Sequence, residues 1–192
     1  MLERWLEAAL ATPGMTGLRD VQDARLMLLD DALRAAPVLR ANPGPVVDVG
    51  SGGGSPGIPL AAELPEREVT LLEAERRKCL FLERFAAELP NLEVVWGRAE
   101  EQPTDAFGVA LAKALAKPPV AVELCVPLVR PGGVAVIWLG RSVDPTPAAA
   151  VAERLAATVE SDFDGLLVLR KIGPTPPGFP RRPGMAWKRP LA

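Results

Sequence analysis

The chain of 192 residues contains no histidine. Serine–histidine–aspartate triads, cysteine–histidine dyads, histidine-based zinc sites and imidazole general bases are therefore excluded. Cysteine is scarce as well. Cys79 and Cys125 form no metal-spaced pair and cannot make a disulfide framework. Both fall in apolar-periodic helical stretches and are expected to be buried, reduced side chains, which points to a cytoplasmic compartment. No run of about 18 apolar residues occurs, so no membrane span is expected. The opening MLERWLEAALATPG carries Glu3 and Glu7 inside its apolar stretch. It lacks the basic start and unbroken apolar centre of a secretory signal. Carboxylates, finally, are missing from the C-terminal end. All 24 acidic residues lie at or before Asp164, while Arg170, Lys171, Arg181, Arg182, Lys188 and Arg189 follow it. A basic tail on an acidic body suggests an anionic partner, most commonly nucleic acid; a solvated terminus with no partner fits the charge equally well.

What is present is an ordinary globular composition, 48% hydrophobic and 24% charged, in a chain long enough for a single domain with a sizeable core. The expected division is N-terminal helices over 1–42, a core over 43–172 and a basic, proline-rich tail over 173–192. Residues 2–11 pattern as an amphipathic helix closed by Pro13-Gly14. Asp20 can cap a second helix running to about Arg40, with Leu26, Leu29, Leu33 and Val38 as its apolar stripe. Strand and helix patterns then alternate. Strands are expected at 46–49, 69–72, 92–95, 107–111 and 134–139, with helices starting at 58–63 and covering about 75–88 and 118–129. A helix over 147–157 leads to strands at 158–163 and 166–169, joined by Asp164-Gly165, a hairpin signal because both central turn positions need positive φ. The pattern predicts an α/β fold: a mostly parallel sheet, helices on both faces, closed by an antiparallel C-terminal hairpin. The tail GPTPPGFPRRPGMAWKRPLA is too proline-rich for regular structure and is expected to be disordered or laid in extended form along the body.

The strongest local signal is VVDVGSGGGSPGIP at 46–59. A short strand runs into Gly50, Gly52, Gly53 and Gly54, where the absence of Cβ lets a ligand approach the backbone. Such loops sit at the carboxyl ends of strands, where open α/β sheets bind ligands, and feed a helix N-terminus. A dinucleotide fingerprint would need glycine where Ser55 stands, and a P-loop would need Gly-Lys-Ser/Thr. Asp48 discriminates further, since a carboxylate there would repel a pyrophosphate. The D-x-G-x-G pattern instead resembles class I methyltransferases, whose S-adenosyl-L-methionine lies on this loop. Glu73, at the end of the second strand, is placed to accept hydrogen bonds from ribose hydroxyls. After the third strand, Gly97-Arg98-Ala99-Glu100 stands where that class holds the adenine.

Over nearly its whole length the chain resembles the 16S ribosomal RNA guanine-N7 methyltransferases, also called glucose-inhibited division protein B. The resemblance rests on GMTGLRD at 14–20, MLLDDAL at 27–33, DVGSGGGSPGIPLA at 48–61, LLEAERRKCLFL at 71–82 and VVWGRAEE at 94–101. ALAKALAKP at 110–118, PLVRPGG at 127–133 and the tail RKIGPTPPGFPRRPGMAWKRPL at 170–191 complete it. It implies a seven-stranded class I methyltransferase sheet with cofactor contacts from Asp48, Gly50, Ser51, Gly52, Gly54, Glu73, Ala74, Arg98, Ala99 and Glu100. It implies Lys113 at the methyl-transfer site, and Arg181, Arg182, Lys188 and Arg189 on the phosphates of ribosomal RNA or the small ribosomal subunit. No metal is implied, and a monomer is the default.

The chemistry fits the residue inventory, because guanine N7 is a lone pair with no proton to lose and needs alignment, not a base. Cytosine-C5 transfer would want a nucleophilic thiolate, and exocyclic-amine transfer an Asn/Asp-Pro-Pro-aromatic loop where Ala112–Ala116 stand. Several positions depart from the family. Lys113 replaces an arginine, Leu139-Gly140 (followed by Arg141) a Lys-Gly, Met27 a histidine and Ser55 a leucine. These departures gather on the expected substrate side, as in a divergent paralogue. They leave open the same fold acting on another RNA or a small molecule, or a non-catalytic cofactor- or RNA-binding protein.

Overall fold

The structure, a computed structural model, describes residues 1–140, 142–163 and 165–192. Arg141 and Asp164, the latter half of the expected hairpin turn, lie outside the described residues. Seven strands form one sheet: β1 (Val46–Val49), β2 (Val69–Glu73), β3 (Leu92–Trp96), β4 (Phe107–Ala112), β5 (Val129–Trp138), β6 (Ala157–Phe163) and β7 (Leu166–Lys171). Their order is β3-β2-β1-β4-β5-β7-β6. Neighbours are parallel from β3 to β5, whereas β7 pairs antiparallel with both β5 and β6, so the hairpin closes the sheet as expected.

Side chains alternate between two cores with the period of a strand. Val46, Leu71, Leu111, Val134, Val136, Leu166 and Val168 face one core, which is completed by α1 (Leu2–Ala11), α5 (Gly57–Glu63) and α6 (Arg76–Ala86). Val47, Leu72, Ala110, Ala112, Ala135, Ile137, Leu167 and Leu169 face the other, which is covered by α7 (Pro118–Cys125) and α8 (Thr146–Arg154). Among the described residues no helix is long and apolar enough to cross a membrane. Cys79 and Cys125 are buried and free, as expected.

Besides β5, which starts at Val129 and not at Val134, three elements differ from expectation. The second helix is broken into α2 (Val21–Ala24), a π-helical turn Arg25–Asp30, α3 (Asp31–Leu33) and α4 (Ala36–Ala41). Asp20 does cap it, accepting from the N–H groups of Gln22 and Asp23. The break before α4 falls at Pro37, which is tolerated in a first turn and not in a helix interior. The π turn carries an extra residue per turn. It rotates Leu26, expected in the apolar stripe, and Met27 out to solvent. The helix expected to run to 129 ends at Cys125 and continues as the 3-10 turn Val126–Leu128, because Pro127 cannot donate to the helical ladder. The tail, thirdly, is not without regular structure. It packs on the body and contains the single turn α9 (Met185–Lys188), whose Ala186 is buried.

The root of the tail is a buried ion pair. Lys171, 1% exposed, donates to Asp105 at 2.9 Å, to Thr175 Oγ1 at 2.8 Å and to the carbonyls of Val126 and Val129. Burial alone would push the Asp105 carboxyl up. The Lys171 ammonium and the N–H and hydroxyl of Thr175 outweigh it and hold Asp105 below its ordinary value. Removing one partner of such a pair leaves a charge without compensation, which typically costs more than the pair contributes. Lys171→Ala is expected to destabilise the protein by about 3 kcal/mol, read as a lower urea midpoint with an unchanged slope. A loss below about 1 kcal/mol would show that water reaches Asp105 freely.

Candidate cofactor and methyl-transfer site

The glycine-rich loop leaves the carboxyl end of β1, between β2 and β4. The N–H groups of Gly50 and Ser51 both reach the carbonyl of Leu72, at 2.7 and 3.2 Å. Gly50 has φ 68, and a Cβ there would stand 2.4 Å from Leu115 Cδ1. Gly53 is pressed still harder: a Cβ would lie 2.6 Å from the carbonyl oxygen of Met15, which is backbone and cannot swing aside.

Two buried carboxylates hold this loop. Asp48 points to the α5 side of the sheet, where its Oδ2 accepts the N–H of Gly57 at 3.0 Å. The Ser51 hydroxyl donates to the Asp48 carbonyl at 2.8 Å. Glu73 forks. Its Oε2 accepts from Gly52 N–H at 2.9 Å and its Oε1 from Glu75 N–H at 2.8 Å. A third support comes from the N-terminal helix, where the fully buried Trp5 donates its indole N–H to the carbonyl of Gly53 at 2.7 Å. The sequence shows Trp5 as one more apolar residue of an amphipathic helix. Its partner, 48 positions away, leaves no local signal.

A cavity of about 460 Å³ opens above the loop, within the range of small-molecule sites. Gly50, Ser51, Gly52 and Gly53 line its floor, Glu73, Ala74 and Lys78 one side, and Arg98, Ala99 and Glu100 another. Lys113, Ala114 and Leu115 lie across it, and Met15, Thr16, Gly17 and Leu28 come from the N-terminal segment. Eight of the ten expected cofactor residues thus line one space. The other two, Asp48 and Gly54, lie behind it. Asp48 acts on the loop through Gly57, and a Cβ at Gly54 would meet Ile58 and the indole of Trp5. The lining, a glycine floor, the Glu73 carboxylate and the apolar side chains of Leu72, Ala99 and Leu124, is chemically compatible with S-adenosylmethionine. Among the described residues no group of three or more histidine, cysteine, aspartate or glutamate side chains could hold a metal.

The charged residues behave differently from a count of charges. Lys113 is on the cavity wall, but its ammonium is turned to the broken second helix, 2.8 Å from Asp31 and also bonded to the Met27 carbonyl and Ser55. It fixes that helix, so it has no free donor of the kind expected of a residue gripping a guanine. Of the six cations that follow Asp164 in the sequence, three are engaged internally. Lys171 has Asp105, Arg170 pairs with Glu160, and Arg181 makes a two-pronged pair with the buried Glu123, 2.6 Å at each prong. Arg181, expected on RNA phosphate, is thereby a clasp between tail and α7. Arg182, Lys188 and Arg189 are exposed and have no carboxylate partner among the described residues. Burial pushes the thiols of Cys79 and Cys125 up, so neither is a nucleophile.

A doubly covered, mostly parallel sheet with an antiparallel closing strand and a glycine loop between two acidic strand ends defines the class I methyltransferase fold. The solved structures agree. A Burkholderia thailandensis 1,6-didemethyltoxoflavin N1-methyltransferase with bound S-adenosylhomocysteine superposes with a TM-score of 0.59 at 17% identity, covering 90% of this chain and 88% of that one. Residues 4–160 match the family described as GidB, rRNA small subunit methyltransferase G. Proteins named ribosomal RNA small subunit methyltransferase G are 33% identical in Dictyoglomus thermophilum, covering 92% of this chain and 81% of the relative. The counterpart in Rubrobacter xylanophilus is 38% identical, over 91% and 72%. The chain belongs to this family.

The loop brace has a pH signature. Desolvation raises the Asp48 carboxyl to about 7, despite the Gly57 N–H, which favours its charged form. Between the ordinary aspartate value and about 7 the folded protein therefore holds a proton that the unfolded chain has released, so Asp48 lowers stability as pH rises through that window. Asp48→Asn should remove this slope: relative to the native protein, the variant is expected to be more stable at pH 8 than at pH 5. Equal differences at the two pH values, by urea denaturation, would mean that Asp48 does not titrate there.

Proposed function

We propose that the chain transfers the methyl group of S-adenosyl-L-methionine to guanine N7 in 16S ribosomal RNA, in the cytoplasm. One observation carries the reaction class. The cavity has a floor suited to the cofactor, yet its ionisable walls are already engaged. Glu73 holds two backbone N–H groups, Glu100 the N–H of Gly184, Lys113 Asp31, and Lys78 Glu75. No histidine exists to supplement them. An acceptor that must lose a proton would need a free base. Guanine N7 presents a lone pair and needs none.

When bound, the cofactor supplies an electrophilic methyl on a sulfonium. The protein contributes position and a dry surrounding. The Gly50–Gly53 backbone sets the depth of the amino-acid end, Glu73 orients the ribose, and Ala99 with Leu124 excludes water from the base. Alignment of this kind can by itself supply a large part of a rate enhancement. The ribosomal RNA substrate is supported by the family and by the exposed cations Arg182, Lys188 and Arg189 on the rim-forming tail.

The test is transfer of labelled methyl from S-adenosylmethionine to small ribosomal subunits and to naked 16S RNA from cells lacking this protein, followed by nucleoside mapping. N7-methylguanosine is expected. A label on an exocyclic amine, or on no RNA at all, overturns the reading. Glu73→Ala should weaken S-adenosylhomocysteine binding about 10- to 100-fold, as for lost hydrogen bonds to a charged acceptor. Replacing Arg182, Lys188 and Arg189 together by alanine, with Arg181 kept, should make the salt dependence of RNA binding shallower by about 2, at about 0.7 per phosphate contact. An unchanged slope would assign these cations to solvent.

A further inference from the structure

The four tryptophans are not alike. The indole N–H of Trp5 is bonded to Gly53, that of Trp96 to Ala74 and that of Trp138 to Asp31. Trp187 has no such partner among the described residues, and it is 51% exposed although the turn that carries it is packed down. It is also the one tail residue on the wall of the cavity, whose lining includes Arg98, Ala99, Glu100 and Leu124.

Its position is not that of a loose terminus. The tail is tied at its root by Thr175 to Asp105 and in its middle by the Arg181–Glu123 pair. Gly184 N–H, immediately before α9, donates to Glu100 Oε1 at 2.8 Å. Arg181 also donates to the carbonyl of Arg189 at 2.9 Å, which closes the segment around α9, and Ala186 is buried in the core beneath α7. Two of these anchors, Glu100 and Glu123, are acids of the core that the tail has sought out. The result is a half-exposed aromatic ring on the wall of the cavity, carried by a segment tied down on both sides of it.

We propose that Trp187 is a cofactor-binding residue: its indole forms the outer wall on which the adenine of S-adenosylmethionine packs, making the C-terminal tail part of the cofactor site. The proposal rests on the S-adenosylmethionine reading of the cavity. An aromatic side chain in a cavity also lined by Ala99 and Leu124 suits a planar, weakly charged ring system, and stacking needs no hydrogen-bond partner from the indole N–H. Glu100 and Arg181 act through the tail as positioning residues for this wall.

The test uses the whole chain, with S-adenosylhomocysteine and 5′-methylthioadenosine as probes; the second keeps adenine and ribose and lacks the amino-acid end. Trp187→Ala should weaken both by a similar factor, roughly five- to a hundredfold, the range for loss of base–aromatic stacking. Trp187→Phe should stay within about threefold of the native protein, because a ring remains. Tryptophan fluorescence should be quenched by S-adenosylhomocysteine in the native protein, and most of that quench should vanish in Trp187→Phe. Equal affinities in native protein and Trp187→Ala would overturn the proposal while leaving the cofactor assignment intact. Failure of the native protein to bind S-adenosylhomocysteine at all would overturn both.

Discussion

The carboxylate of Glu73 takes two backbone N–H groups at once, Gly52 from the loop after β1 and Glu75 from the entry to α6. The floor and the side wall of the cavity are thereby set by one side chain. Because Glu73 is the last residue of β2, its place is dictated by the parallel ladder between β2 and β3, where it pairs with Trp96, and the loop inherits the accuracy of the sheet. Asp48 does the same from below, through Gly57. Such burial of acids is costly unless backbone N–H groups meet them. Here they do, and the cost still shows in the raised proton affinity of Asp48. The loop is consequently held by the groups that its own glycine backbone leaves open.

Around this fixed floor the two ends of the chain supply part of the remaining wall. The N-terminal segment is fastened by Trp5 to Gly53, by Asp31 to Lys113, and by the Leu28 carbonyl to Ser55. The C-terminal segment is fastened by Thr175, Arg181 and Gly184. The cavity is therefore a seam between sheet and termini. Ser55 and Lys113 both lie on the N-terminal fastening and touch one another at 3.4 Å. A change at one of them alters how the helix carrying Met27 and Leu28 sits over the cavity, which is a packing consequence before it is a catalytic one.

The alternation of apolar runs made the sheet, the hairpin and both helical layers legible, since strands of this kind are specified by local period. Asp48, Glu73 and the glycines were legible for the same reason: loop chemistry is local. What a linear reading could not supply were pairings across the fold. Lys171 and Arg181 look like free tail cations until Asp105 and Glu123, 66 and 58 positions away, are brought against them. Leu26 looks like core until a π turn changes the phase of its helix. Pro37 and Pro127, by contrast, carried signals strong enough to have placed both helix ends.

The engagement of nearly every charge around the cavity bears on what the protein contributes to a reaction. A group that already donates to or accepts from the fold cannot shift a proton without loosening the wall it supports. Lys113 illustrates this: freeing its ammonium would release Asp31 and the Met27 carbonyl together. The wall is thus stiff and chemically quiet, which suits an acceptor atom that arrives as a bare lone pair. Discrimination between acceptors must then come from shape, from how closely the N-terminal segment and the tail approach over Glu73 and Ala99, and not from proton transfer.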